Sequence, residues 1–135
     1  MNTRILMTAT SLVLALAAVL TLFIPDNLLA LLGLPATEPL PVLVQLLGSL
    51  YFSLAILDWT AKDSRIGGIY ARPISLGNFA HFFVGALLLI RFQLSNTSHV
   101  TLWVMLILYG IFAVLFGWLL FGSSGVAKGA GAAGQ

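Results

Sequence analysis

Five side chains in this sequence have the types and spacing to do chemistry together: Ser53, Asp58, Arg72, Asn78 and His81. Histidine changes charge near neutral pH, and arginine offers a planar fork of donors to a carboxylate or phosphate. Aspartate accepts protons or cations, while serine and asparagine supply neutral hydrogen bonds. On a helix, Asn78 and His81 share a face, as do Gly77, His81 and Gly85 at intervals of four. At 1.5 Å per residue, His81 falls roughly 10 Å inside a membrane, level with Phe52 or Ser53 of an antiparallel neighbour. The sharper reading is a proton-sensitive or ligand-binding site, because ionisable groups inside membranes are functional candidates. The plainer reading, which we prefer on the sequence, is that His81 and Asn78 hydrogen-bond across helices at about 0.6 kcal/mol each. Asp58 is then a solvated or arginine-paired residue at a helix end, and Gln45 and Tyr109 are buried packing residues with satisfied hydrogen bonds.

Catalysis has little to build on. The two histidines, His81 and His99, fall on opposite sides of the expected membrane, so one chain cannot use both for a metal. The sequence has no cysteine, which excludes thiolate ligands, disulfides and cysteine nucleophiles. It shows no paired carboxylates and no serine triad, and Gly67-Gly68 lacks the pattern of a phosphate-cradling loop. We therefore expect no catalytic residues, no metal and no cofactor. The net charge of +2 comes from few residues and forms no basic stripe, so nucleic acid is not an expected partner.

The elements that must position these residues are membrane helices. The chain is 60% hydrophobic and only 7% charged, against roughly 45–50% and about 25% in soluble domains. A bilayer core of about 30 Å is crossed by about 20 helical residues. Four apolar runs meet that length, at residues 5–24, 42–59, 74–94 and 100–121, and the expected fold is an all-α, four-transmembrane-helix bundle. The first run contains Ala15-Leu16-Ala17, which imitates a signal-peptidase site, but the sequence stays apolar up to Pro25 and reads as an uncleaved span. Thr8, Ser11 and Thr21 within it are expected to bond back to their own helix.

Pro25-Asp26-Asn27 ends the first span, with Asp26 or Asn27 as a cap for a short interfacial helix at residues 27–33, stopped by Gly33 and Pro35. In the second span, Gly48, Ser49 and Ser53 form a small-residue seam for a close helix neighbour. Trp59, Trp103 and Trp118 mark membrane boundaries. Ser95-Asn96-Thr97-Ser98 makes a tight turn that pairs the third and fourth spans as an antiparallel hairpin. Residues 122–135 are a Gly/Ala-rich tail.

Of the ten charged residues, five lie between Asp58 and Arg72, and that connection holds Lys62, Arg65 and Arg72. The loop between the first two spans carries only Asp26 and Glu38. By the positive-inside rule the basic connection and both termini are cytoplasmic, in a bacterial cytoplasmic membrane. Lys62, Arg65 and Arg91 are the expected contacts to lipid headgroups.

Pro25-Asp26 followed by Leu28-Leu29-Ala30-Leu31-Leu32-Gly33-Leu34, and then Gly48-x-x-Tyr51 in the next span, resembles the layout of small four-helix bacterial membrane proteins of the DoxX-like group. That resemblance covers the general plan of about three spans. It implies a membrane subunit of a redox assembly that works with a quinone or a partner enzyme. The residues themselves favour a non-enzymatic accessory subunit or a binder of a lipid-like ligand, using a polar inner-half cavity between the second and third spans. The alternative is an ion or proton channel, which four short helices form only as an oligomer. Expected partners are membrane lipids, and a homo-oligomer or larger membrane complex.

Overall fold

The computed structural model describes residues 3–63, 71–95 and 100–122, with the backbone alone at Ala71. The order of elements is α1 (Thr3–Phe23), α2 (Pro25–Leu31), α3 (Leu40–Ala61), α4 (Ala71–Ser95) and α5 (Val100–Gly117), which runs into a π-helical turn (Trp118–Gly122). No strand occurs among the described residues. The protein is all-α, and α1, α3, α4 and α5 with its π-helical extension are each long and apolar enough to cross a membrane. The most apolar 18-residue stretches of these helices have mean hydropathies of 2.3, 2.0, 1.7 and 2.5 in chain order. The lowest value belongs to α4, whose middle carries Asn78 and His81. Helices suit a bilayer because each satisfies its backbone N–H and C=O groups internally, where no water is available to do so.

The chain divides into two compact units, Asn2–Asp63 and Ser64–Gln135. In the first, α1 and α3 are antiparallel. Thr21 and Leu22 meet Gly48 near one end, Ser11 meets Ala55 midway, and Arg4 meets Asp63 at the other. The close approach depends on Gly48, where a Cβ would stand 2.5 Å from Thr21 Oγ1 and 2.9 Å from Leu22 Cγ. Between membrane helices no hydrophobic force drives association, so contact rests on close van der Waals packing and interhelical hydrogen bonds. Gly48 supplies the first and Ser11 the second: its hydroxyl donates to the Ala55 carbonyl at 2.8 Å across the pair. Thr8 and Thr21 bond back to Arg4 O and Ala17 O in their own helix, as expected, so only Ser11 of the three departs from that reading. Ser49 and Ser53, expected in the seam, are exposed and donate to carbonyls of their own helix.

Between α1 and α3, the helix α2 starts two residues before its expected position. Pro25 occupies its first turn, Ile24 precedes it, and no side chain caps it. Proline lacks an N–H and fits a first turn, so it breaks α1 and starts α2 without a separate cap at Asp26 or Asn27. The stop is the expected one. Gly33 has φ 70°, Leu34 N–H donates to Leu29 O at 2.9 Å and Gly33 N–H to Ala30 O at 3.0 Å. This pair of bonds satisfies the last carbonyls through a residue in the left-handed region, where glycine carries no Cβ penalty.

The second unit is the antiparallel hairpin of α4 and α5. Gly85 faces the Tyr109 ring, Phe82 packs on Phe112 and Phe116, and Phe79 faces Gly117 and Phe121. Phe82 and Phe116 are wholly buried. Their ring contacts run from stacked, with 4.9 Å between the centroids of Phe82 and Phe112, to edge-on against Tyr109 at 5.2 Å. The buried stripe of α4 passes through Ser75, Asn78, Phe82, Ala86 and Gln93. It therefore lies one position beyond the Gly77–His81–Gly85 line read from the sequence. Gly77 is exposed, and a Cβ there would meet open space. Of the face read from the sequence, Asn78 is buried and both His81 and Gly85 meet Tyr109, so Gly77 alone stands apart from the helix contact.

Candidate functional site

The five residues singled out for chemistry fall on two elements in different units: Ser53 and Asp58 on α3, and Arg72, Asn78 and His81 on α4. Each is therefore placed within its own unit. Ser53 is exposed, and its hydroxyl donates to Ser49 O at 2.9 Å. Asp58 corrects the expectation of a solvated group. It is wholly buried, inside α3 one turn before its end. Asp63, just beyond the helix, makes an ion pair: its Oδ1 lies 3.1 Å from Arg4 Nε on an exposed surface. Such a pair between exposed side chains contributes little to stability.

On α4, Asn78 is buried and its Nδ2 donates to Ile74 O at 3.1 Å, one turn back in the same helix. His81 is half-buried at the edge of the covered stripe. Its Nε2 shares a hydrogen bond of 3.3 Å with the Tyr109 hydroxyl of α5. The two rings are 5.4 Å apart, and the Phe82 ring packs edge-on against both. His81 thus joins two helices by a hydrogen bond within an aromatic layer. Tyr109 is buried, as the sequence suggested, whereas Gln45 is exposed and its Nε2 donates to Leu22 O at 3.2 Å.

The boundary residues are equally specific. Lys62 Nζ stands 3.1 Å from the centroid of the Trp59 ring, a cation–π contact. Arg91 is exposed near the end of α4, and Trp59, Trp103 and Trp118 are all exposed. Arg65, His99, the glycines Gly67 and Gly68 and the tail beyond Gly122 lie outside the described residues.

The second unit has an open groove that the sequence did not disclose. A groove of about 410 Å³ runs between the first turns of α4 and the π-helical end of α5, lined by Arg72, Pro73, Leu76, Leu120 and Phe121. The widened π-helical turn carries Leu120 and Phe121 into this wall. Turns of this kind are rare and recur at functional sites. Arg72 is exposed, and among the described residues it makes no ion pair. Arg72 and Arg91 are nineteen residues apart on one helix, about 28 Å at 1.5 Å per residue, close to the thickness of a bilayer core. The groove is therefore at one end of the α4–α5 hairpin, with a guanidinium beside an apolar floor. Arg72 was legible as a candidate. Pro73, Leu76, Leu120 and Phe121 were not, because apolar residues that line a groove look the same in sequence as those that face lipid.

Among the described residues no group of three or more His, Asp or Glu side chains is placed to hold a metal ion. The chain matches no family model, and neither the curated proteins nor the solved structures contain a match to it.

Proposed function

We propose that this is a non-enzymatic integral membrane protein that binds a lipid-like ligand, acting alone or as an accessory subunit. The observation that carries the reading is the groove between α4 and the π-helical end of α5. Its volume, about 410 Å³, lies within the roughly 300–1,000 Å³ of small-molecule sites. One cation at the mouth and leucine and phenylalanine below match an amphiphile. The site thus differs from the cavity between the second and third spans that the sequence suggested, because its walls come from the third and fourth. The His81–Tyr109 hydrogen bond supports a structural part for His81 rather than a place on a conduction path.

The orientation belongs to the same proposal. Arg4 meets Asp63 at the end of α3, and the end of α5 adjoins the start of α4, so each unit returns its free end to the side of the basic connection. The positive-inside rule makes that side cytoplasmic. A bacterial cytoplasmic membrane fits the resemblance in layout.

Native mass spectrometry after purification in mild detergent tests the ligand. The wild-type protein should keep an amphiphile through detergent exchange, and a Leu76→Trp/Leu120→Trp variant, which fills the groove, should lose it. A wild-type protein with no retained ligand, or equal retention by the filled variant, overturns the reading.

A further inference from the structure

We infer that the groove selects an anionic phospholipid, with the Arg72 guanidinium on its phosphate and an acyl chain on Leu76, Leu120 and Phe121. The inference rests on the groove being a ligand site and names the ligand's class. Three observations converge on it. Among the described residues Arg72 is the one charged side chain in the lining, and the others there are apolar. Arginine binds phosphate by two parallel N–H···O bonds, a geometry that a compact ammonium cannot reproduce. Moreover, Arg72 lies in the first turn of α4, one turn before Leu76, at the end of the groove where a lipid headgroup would stand. Below it, Leu76 and Phe121 are both more than half exposed, and so offer uncovered apolar surface along the groove.

The volume bears on how much of the lipid is held. At roughly 30 Å³ for a group of water or methylene size, about 410 Å³ holds on the order of a dozen such groups. That accommodates a phosphate and part of one chain, and the rest of the lipid extends into the bilayer. Arg91, at the other end of α4, supplies the same charge at the opposite boundary, so the two ends of one hairpin separate simple surface charge from a built site.

The test uses tryptophan quenching by brominated lipids in vesicles of phosphatidylcholine with added phosphatidylglycerol. Trp118 lies in the π-helical turn beside the groove, and Trp103 near the start of α5, toward the Arg91 end of the antiparallel pair. In the full chain carrying Trp59→Phe and Trp103→Phe, Trp118 should be quenched more strongly by brominated phosphatidylglycerol than by brominated phosphatidylcholine at the same mole fraction. Arg72→Gln should abolish that preference without changing helix content by circular dichroism. In the matching chain that keeps only Trp103, the preference should be absent.

Equal quenching of Trp118 by the two lipids overturns the inference and leaves a zwitterionic or uncharged amphiphile for the groove. An equal preference at Trp103 also overturns it, by assigning the effect to surface charge. Dimerisation that is lost in Phe121→Ala, with no lipid preference, would give the groove to a second copy of this chain. Failure of the ligand reading itself is distinguishable, because the groove-filling variant would then behave as wild type in mass spectrometry whichever lipid is used.

Discussion

His81 and Tyr109 show how a polar pair is accommodated in an apolar hairpin. Their hydrogen bond crosses from α4 to α5, and the Phe82 ring closes beside both partners. Bonds of this kind in membranes average about 0.6 kcal/mol, since a chain unfolded within the bilayer also finds partners. A double-mutant cycle of His81→Leu and Tyr109→Phe, read by unfolding in detergent, should return a coupling of about that size. If the histidine is structural, melting temperatures of the wild type and His81→Leu should also run parallel between about pH 5 and 8, the range in which histidine changes charge. A wild-type curve that bends alone in that window would revive the proton-site reading. Ser11 makes the complementary point. In sequence it resembles Thr8 and Thr21, yet its hydroxyl reaches Ala55 O because it faces α3 at the depth where the helices are close.

Helix pairing depends on small residues at defined depths. Gly48 takes the Thr21 and Leu22 side chains against its bare Cα, and Gly85 does the same for the Tyr109 ring. Thr21 has little freedom to retreat, because it is β-branched and its hydroxyl is bonded to Ala17 O at 2.7 Å. Gly48→Val should therefore destabilise the first unit by about 1–3 kcal/mol, the usual cost of overpacking. Gly77→Val adds the same atoms to a helix position with open space around it and should leave stability unchanged. Equal losses at the two positions, measured by unfolding in detergent, would show that close approach at Gly48 is not what sets the cost.

For the whole molecule, the distribution of cations and the two antiparallel pairs make a joint forecast of topology. Single cysteines at Thr37, Ser64 and Ser124, probed with an impermeant thiol reagent in intact cells and in inverted vesicles, read it directly. Ser64 and Ser124 should label from the cytoplasmic side and Thr37 from the opposite side. Labelling of Thr37 and Ser64 from one side would contradict a crossing by α3, and labelling with the two sides exchanged would reverse the orientation and place the Arg72 groove in the other leaflet.

The four spans were legible because transfer into a bilayer depends on residue type summed over about 20 positions, a property that a linear sequence carries in full. The same holds for the stop at Gly33 and the break at Pro25, where local backbone chemistry decides. Which side of each helix is covered was legible only in part. The four-residue interval from Gly77 to Gly85 pointed to one face of α4, of which His81 and Gly85 meet Tyr109, whereas Gly77 faces open space and the wholly buried Phe82 lies one position on from His81. Only the tertiary structure decided that Asp58 is buried, that Ser11 bonds across to α3, and that Leu76, Leu120 and Phe121 form the wall of a groove. In a membrane, a leucine facing lipid and a leucine facing a ligand satisfy the same hydropathy, so the distinction lies in which helices meet and where a helix widens.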